Sequence, residues 1–177
     1  MNPPVIDCHT HIDQRWLTHD AALLRGMLRR CDATGVEAMV VSIYTTPQGP
    51  GTDLDMLGRI FRDFDVRLAV TVGYPSPASA DELQALPEHL DGSLRAAREA
   101  AKRPEVVGIG EVGLDYYWPQ KEWMPGGEVH ALESAEDRGA AELDKYPLLE
   151  NCLRAQAEIF TRWIDLAQEF ELPLVVH

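Results

Sequence analysis

Val5-Ile6-Asp7-Cys8-His9-Thr10-His11 opens on two β-branched residues and closes on two histidines two positions apart. Valine and isoleucine favour extended backbone, in which successive side chains point to opposite faces. His9 and His11 therefore project together from the carboxyl end of a strand. Neutral imidazole is the commonest protein metal ligand, and two on one face can grip one ion. Two later runs repeat the form. Val106-Val107-Gly108-Ile109-Gly110-Glu111 carries a lone carboxylate at the end of apolar company, and Leu172-Pro173-Leu174-Val175-Val176-His177 closes on another histidine. A glutamate so placed costs several kcal/mol unless it is paired, protonated or bound to metal. Three apolar runs, each ending in a ligand type, fit a parallel barrel with its active residues at the strands' carboxyl ends.

Strands and helices alternate along the rest of the chain, which implies a parallel sheet. The pattern predicts strands over about 5–10, 38–44, 67–73, 106–111 and 174–177. It predicts helices over about 21–33, 54–64, 80–102 and 149–170. Leu23, Leu24, Met27 and Leu28 give the first helix its apolar spacing, and Gly35 ends it. The stretch from Arg25 to Arg30 reads as that helix's outer face, and Pro87 as a break in the third helix. Strand alternation turns Cys8 away from His9 and His11, which makes it a core residue. The segment 118–147, rich in Pro, Gly and acidic residues, departs from this rhythm. It reads either as a loop shaping substrate access over the barrel mouth or as a disordered acidic insertion.

The motifs resemble those of the TatD family of metal-dependent deoxyribonucleases, within the amidohydrolase superfamily. The resemblance rests on Asp7-x-His9-x-His11, on Gly110-Glu111-Val112-Gly113-Leu114-Asp115-Tyr116-Tyr117, and on the run from Gln156 through Leu166-Ala167 to Pro173-Leu174-Val175-Val176-His177. It implies a TIM-type (β/α)8 barrel, of which this chain supplies about five strands in one partial domain, 1–177. It assigns His9 and His11 to one metal, Glu111 as the catalytic carboxylate bridging two metals, and His177 to the second. The expected cofactors are two divalent ions, drawn from Mg, Mn or Zn; imidazole with carboxylate suits zinc or manganese better than calcium. Asp115 and Tyr116, just past Glu111, are candidate substrate contacts, although Asp115 could equally fix its loop through backbone amides. Tyr74 could stack on a base or pack against the barrel rim, and packing is the favoured reading. The implied substrate is DNA, single-stranded or at strand ends, held transiently. A small-molecule amidohydrolase on the same scaffold is the alternative, and a catalytically incomplete binding module is a third.

Charge and length bear on that choice. The formal net charge is −13, whereas proteins that hold nucleic acid firmly present basic surface. After the third strand the sequence reads Gly73-Tyr74-Pro75-Ser76-Pro77, without the histidines that the family often carries there. A closed barrel takes roughly 250 residues, with a lower bound of about 200, against 177 here. By resemblance, a further His and Asp would follow on later strands. The chain is therefore expected to be the amino-terminal portion of a longer protein or one half of a split enzyme. The remaining strands would come from elsewhere, and 1–177 alone would be neither a competent catalyst nor a stable monomer. Three widely spaced cysteines, no signal sequence and no apolar run approaching the ~20 residues of a membrane span lead to an expected cytoplasmic location.

Overall fold

The computed structural model describes residues 5–77, 80–114 and 147–177. Its elements in chain order are β1 (Val5–Thr10), α1 (Gln14–Thr18), α2 (Ala21–Thr34), β2 (Val36–Thr46), β3 (Gly49–Pro50), α3 (Leu54–Phe61), β4 (Arg67–Gly73), α4 (Ala80–Ala101), β5 (Val106–Val112), α5 (Pro147–Glu169) and β6 (Leu174–Val176). All but the last residue of the acidic segment 118–147, and both Asp115 and Tyr116, lie outside the described residues.

The order of strands across the sheet decides the architecture. β1, β2, β4, β5 and β6 lie side by side in the order in which the chain makes them, every neighbouring pair parallel. A doubly wound sheet would reverse direction at a switch point. Unbroken sequential order with helical crossovers is the winding of a TIM-type barrel. The fold is α/β, and these five strands form part of such a barrel. The two-residue β3 pairs antiparallel with the end of β2.

Helices enter and leave where their residues dictate. Asp53 caps α3 by accepting a hydrogen bond from the Met56 amide. Gly35 ends α2 at φ 82, a left-handed conformation that costs glycine nothing. Within α2, Leu24 and Leu28 are fully buried while Leu23 stays exposed. The core lies between helices and sheet, where Val41, Ile43, Val70, Val72 and Ile109 meet Leu57, Leu94, Trp163 and Leu166.

Four sequence expectations need correction. Helix α4 runs through Pro87 instead of breaking there. Leu86, Leu90 and Leu94 along it are buried, and at about 1.5–3 kcal/mol each that burial exceeds the ~3 kcal/mol cost of an internal proline. The short helix α1 and the strand β3 escaped the periodicity. α1 is started by the Asp13 carboxylate accepting from the Arg15 amide, and β3 by Thr46, whose hydroxyl donates to the Gly49 carbonyl. Cys8 is exposed rather than buried. Alternation along the strand says which side chains share a face, not whether a layer covers it. β1 is an edge strand whose Val5 and Ile6 are exposed as well.

Candidate metal centre

His9 lies on β1, His11 just beyond its end, Glu111 on β5 and His177 just beyond β6. Parallel winding brings these carboxyl ends to one side of the sheet. The Nε2 atoms of His9 and His11 are 3.1 Å apart. They lie 3.4 and 3.3 Å from Oε2 of Glu111. The other carboxylate oxygen, Oε1, is 2.6 Å from Nδ1 of His177. All four sequence-predicted ligands thus meet around one carboxylate. His9, His11 and Glu111 form the tight group, and His177 approaches from the far side of Glu111.

The spacing suits a metal. Donor atoms bound at ~2.0–2.1 Å to a tetrahedral ion lie about 3.3 Å from one another. The triangle of 3.1, 3.3 and 3.4 Å matches one face of such a tetrahedron. Imidazole nitrogen with carboxylate oxygen is also the donor mixture of zinc and other transition-metal sites.

Two glycines make this approach possible. Gly110 holds φ 132, and a Cβ there would fall 2.3 Å from the Val175 carbonyl oxygen. The β5–β6 register shifts between Gly110 and Val112, where Glu111 leaves the ladder. Gly73 closes β4 against the backbone of Glu111: a Cβ on Gly73 would lie 2.2 Å from the Glu111 carbonyl oxygen. The next residue secures the contact, since the Tyr74 amide donates to that same oxygen at 3.3 Å.

Burial differs sharply within the group. The side chain of Glu111 is 12% exposed, against 40% for His9, 48% for His11 and 51% for His177. Burial pushes the Glu111 carboxyl upward. The His177 hydrogen bond and the charges of His177, His9 and His11 outweigh that push and hold it below its ordinary value. The site is therefore an ionised carboxylate on a partly buried floor, under three accessible imidazoles.

Further residues support it, among them Ser42, Thr71 and Tyr44, which the sequence reading missed. The Ser42 hydroxyl lies 3.3 Å from Nδ1 of His9 and 2.9 Å from the Thr71 hydroxyl. With the Nδ1 proton given to Ser42, Nε2 of His9 keeps its lone pair for a metal. The available signal was a lone hydroxyl in each of two apolar strands, in Val40-Val41-Ser42-Ile43 and Val70-Thr71-Val72. Asp7 accepts from the His9 amide and from the Thr10 hydroxyl, which fixes the end of β1. Tyr44 sets its ring 5.9 Å from that of His11. Tyr74 rests edge-on against Trp163 at 5.7 Å and is half-buried, which agrees with packing at the rim.

The family model for TatD-related DNase matches residues 6–177. A Mycobacterium tuberculosis protein named "uncharacterized metal-dependent hydrolase TatD" is 27% identical over 177 residues, covering 98% of this chain and 51% of its own length. A Bacillus subtilis protein named "uncharacterized metal-dependent hydrolase YabD" is 24% identical over 173 residues, covering 98% of this chain and 50% of its own. The chain spans about half the length of the curated relatives it matches.

Proposed function

The chain belongs to the TatD-related DNase family, and from that premise we propose that it contributes the amino-terminal ligands of a metal-dependent hydrolase. The observation that carries this reading is the meeting of His9, His11 and His177 on the two oxygens of Glu111. A divalent ion held there supplies Lewis acidity, acidifying water and polarising the scissile group. The chain's own part is to prepare the donors. Ser42 sets the His9 tautomer, Glu111 stays ionised and offers one oxygen to each side, and Gly110 aims it. That two-sided presentation supports two ions, which Glu111 would help to hold on both sides and His177 on the second. Magnesium, manganese and zinc are the candidate metals.

The favoured substrate is a phosphodiester, in single-stranded or end-exposed DNA engaged transiently. The remaining barrel strands come from a longer polypeptide or a second subunit, and the working location is the cytoplasm. Among the described residues no helix is long and apolar enough to cross a membrane. The second reading, a small-molecule amidohydrolase, draws support from the net charge of −13 and from Gly73-Tyr74-Pro75-Ser76-Pro77, which offers no histidine to a phosphate.

The test is hydrolysis by the intact protein loaded with manganese or magnesium. Cleavage of DNA that chelator abolishes is expected, as is a Glu111→Gln variant that folds but binds metal at least about 100-fold more weakly, since losses at outer-shell partners already reach 10–100-fold. DNA left untouched while a small amide or ester is cleaved would transfer the assignment to the second reading. Unchanged metal affinity in the Glu111→Gln variant would overturn both.

A further inference from the structure

The residues after β4 form a short strap beside the end of β5, and they read Tyr74-Pro75-Ser76-Pro77. Tyr74 and Ser76 each stand immediately before a proline, which steers them to extended backbone, and each proline fixes its own φ. Little conformational freedom is left in these four residues.

The strap is anchored at its far end. Pro77 is buried, and its carbonyl accepts from Nε2 of Gln156 at 3.1 Å and from the Cys152 thiol. Cys152 and Gln156 stand four residues apart on one face of α5, and both are fully buried. A buried amide is costly unless it is hydrogen-bonded, and here it is spent on the strap. Before that anchor the strap meets β5 twice. The Tyr74 amide donates to the Glu111 carbonyl at 3.3 Å, and the half-buried Ser76 hydroxyl donates to the Gly113 carbonyl at 2.8 Å. The two acceptors flank Val112, whose own carbonyl accepts from the His177 amide at 2.9 Å. Gly113 also abuts His177: a Cβ there would lie 2.9 Å from the His177 carbonyl oxygen. The Ser76 bond therefore bears on a short piece of backbone that carries Glu111 and touches His177.

We propose that Ser76 is a positioning residue for the metal centre. Anchored through Pro77 on Gln156, its hydroxyl fixes the end of β5 so that Glu111 presents one oxygen to His9 and His11 and the other to His177. It acts through the Gly113 carbonyl and not by ligation. Ligand atoms must fall within about 0.2 Å of their bonding distances, so a brace on this backbone acts on metal affinity. The proposal rests on the hydrolase reading for its purpose, but the geometry it describes needs no ion.

The experiment compares the intact wild-type protein with Ser76→Ala, Ser76→Thr and Gln156→Met. In the metal-free state, the His177 imidazole nitrogen resonances report the hydrogen bond to Glu111, and calorimetric titration with manganese then reports affinity. Ser76→Ala should shift those resonances and weaken manganese binding about tenfold, the lower end of the loss for groups that orient ligands. Ser76→Thr keeps the hydroxyl and should restore both. Gln156→Met keeps the buried volume without the donor and should act in the same direction as Ser76→Ala; the Ser76 pair decides even where it does not fold. A Ser76→Ala variant that is merely less resistant to denaturant, with wild-type resonances and affinity, would overturn the proposal. So would a Ser76→Thr variant that behaves like Ser76→Ala. A protein that binds no manganese yet shows the Ser76-dependent shift would overturn the hydrolase reading and leave the brace standing.

Discussion

The β2–β4 pair and the pairings that flank it are built differently. From Ala38 opposite Arg67 to Tyr44 opposite Gly73, β2 and β4 align residue by residue without interruption. The β1–β2, β4–β5 and β5–β6 pairings each contain a register shift. His9 and Glu111 lie on strands with shifted pairings, and His11 and His177 lie just beyond the ends of such strands. An irregularity in a ladder bends the strand and re-aims the side chains that follow. The continuous pair fixes position, and the irregular pairings aim the candidate ligands.

Gly110→Ala should break this division of labour most severely, because Gly110 stands in the shifted β5–β6 ladder beside Glu111 and its backbone approaches Gly73 at the end of β4. With φ 132 and the Val175 carbonyl in the way, a methyl group should cost about 3 kcal/mol or more and abolish metal binding. Denaturant unfolding and metal titration of the intact variant measure the two losses, and wild-type values in both would remove the link between the shifted ladder and the site.

Ile43→Ala probes the continuous pair alone. Ile43 is 2% exposed on β2, and its truncation should cost about 2–5 kcal/mol of stability. Metal affinity of the folded fraction should stay at the wild-type level. A matching drop in affinity would show that the centre also aims the ligands.

Ser42→Ala should reach the ligands. The hydroxyl joins the central strands to His9, so metal affinity should fall by about 10–100-fold, the usual effect of losing a ligand's hydrogen-bond partner. Stability should fall by about 1–3 kcal/mol, because the buried Thr71 hydroxyl loses its partner. Calorimetric metal titration separates this outcome from a purely structural role, which would lower stability and spare affinity.

The smallest effect lies in the helix layer over the central pair. Arg103 hydrogen-bonds to Asp55 at 2.6 Å and holds its carboxyl below the ordinary carboxylate range. The folded value is depressed, so the pair's contribution is present above the unfolded value and is lost as pH falls through the folded one. An NMR titration of the Asp55 carboxyl should show a midpoint below that of an unstructured peptide, and Arg103→Gln should move it upward toward the peptide value.

The pattern of apolar runs ending in His9-x-His11, Glu111 and His177 was enough to read parallel strands and a shared site, because strand periodicity and ligand chemistry are local properties. Boundaries came within one to three residues wherever a glycine or an apolar stripe marked them, as at Gly35. Pro87 misled because a local rule about one hydrogen bond was weighed without the buried face of Leu86, Leu90 and Leu94. Cys8 misled because alternation carries no information about what lies above a strand.

Sequence by itself determined the class of fold, the candidate ligand types and the end of the strands on which those residues stand. Only tertiary structure decided that Oε2 of Glu111 faces His9 and His11 while Oε1 faces His177. It alone placed Ser42 opposite Thr71, so that two isolated hydroxyls became one support for His9. The reason is range. Propensity and alternation act over a few residues, whereas the register between strands is set by packing among segments dozens of residues apart.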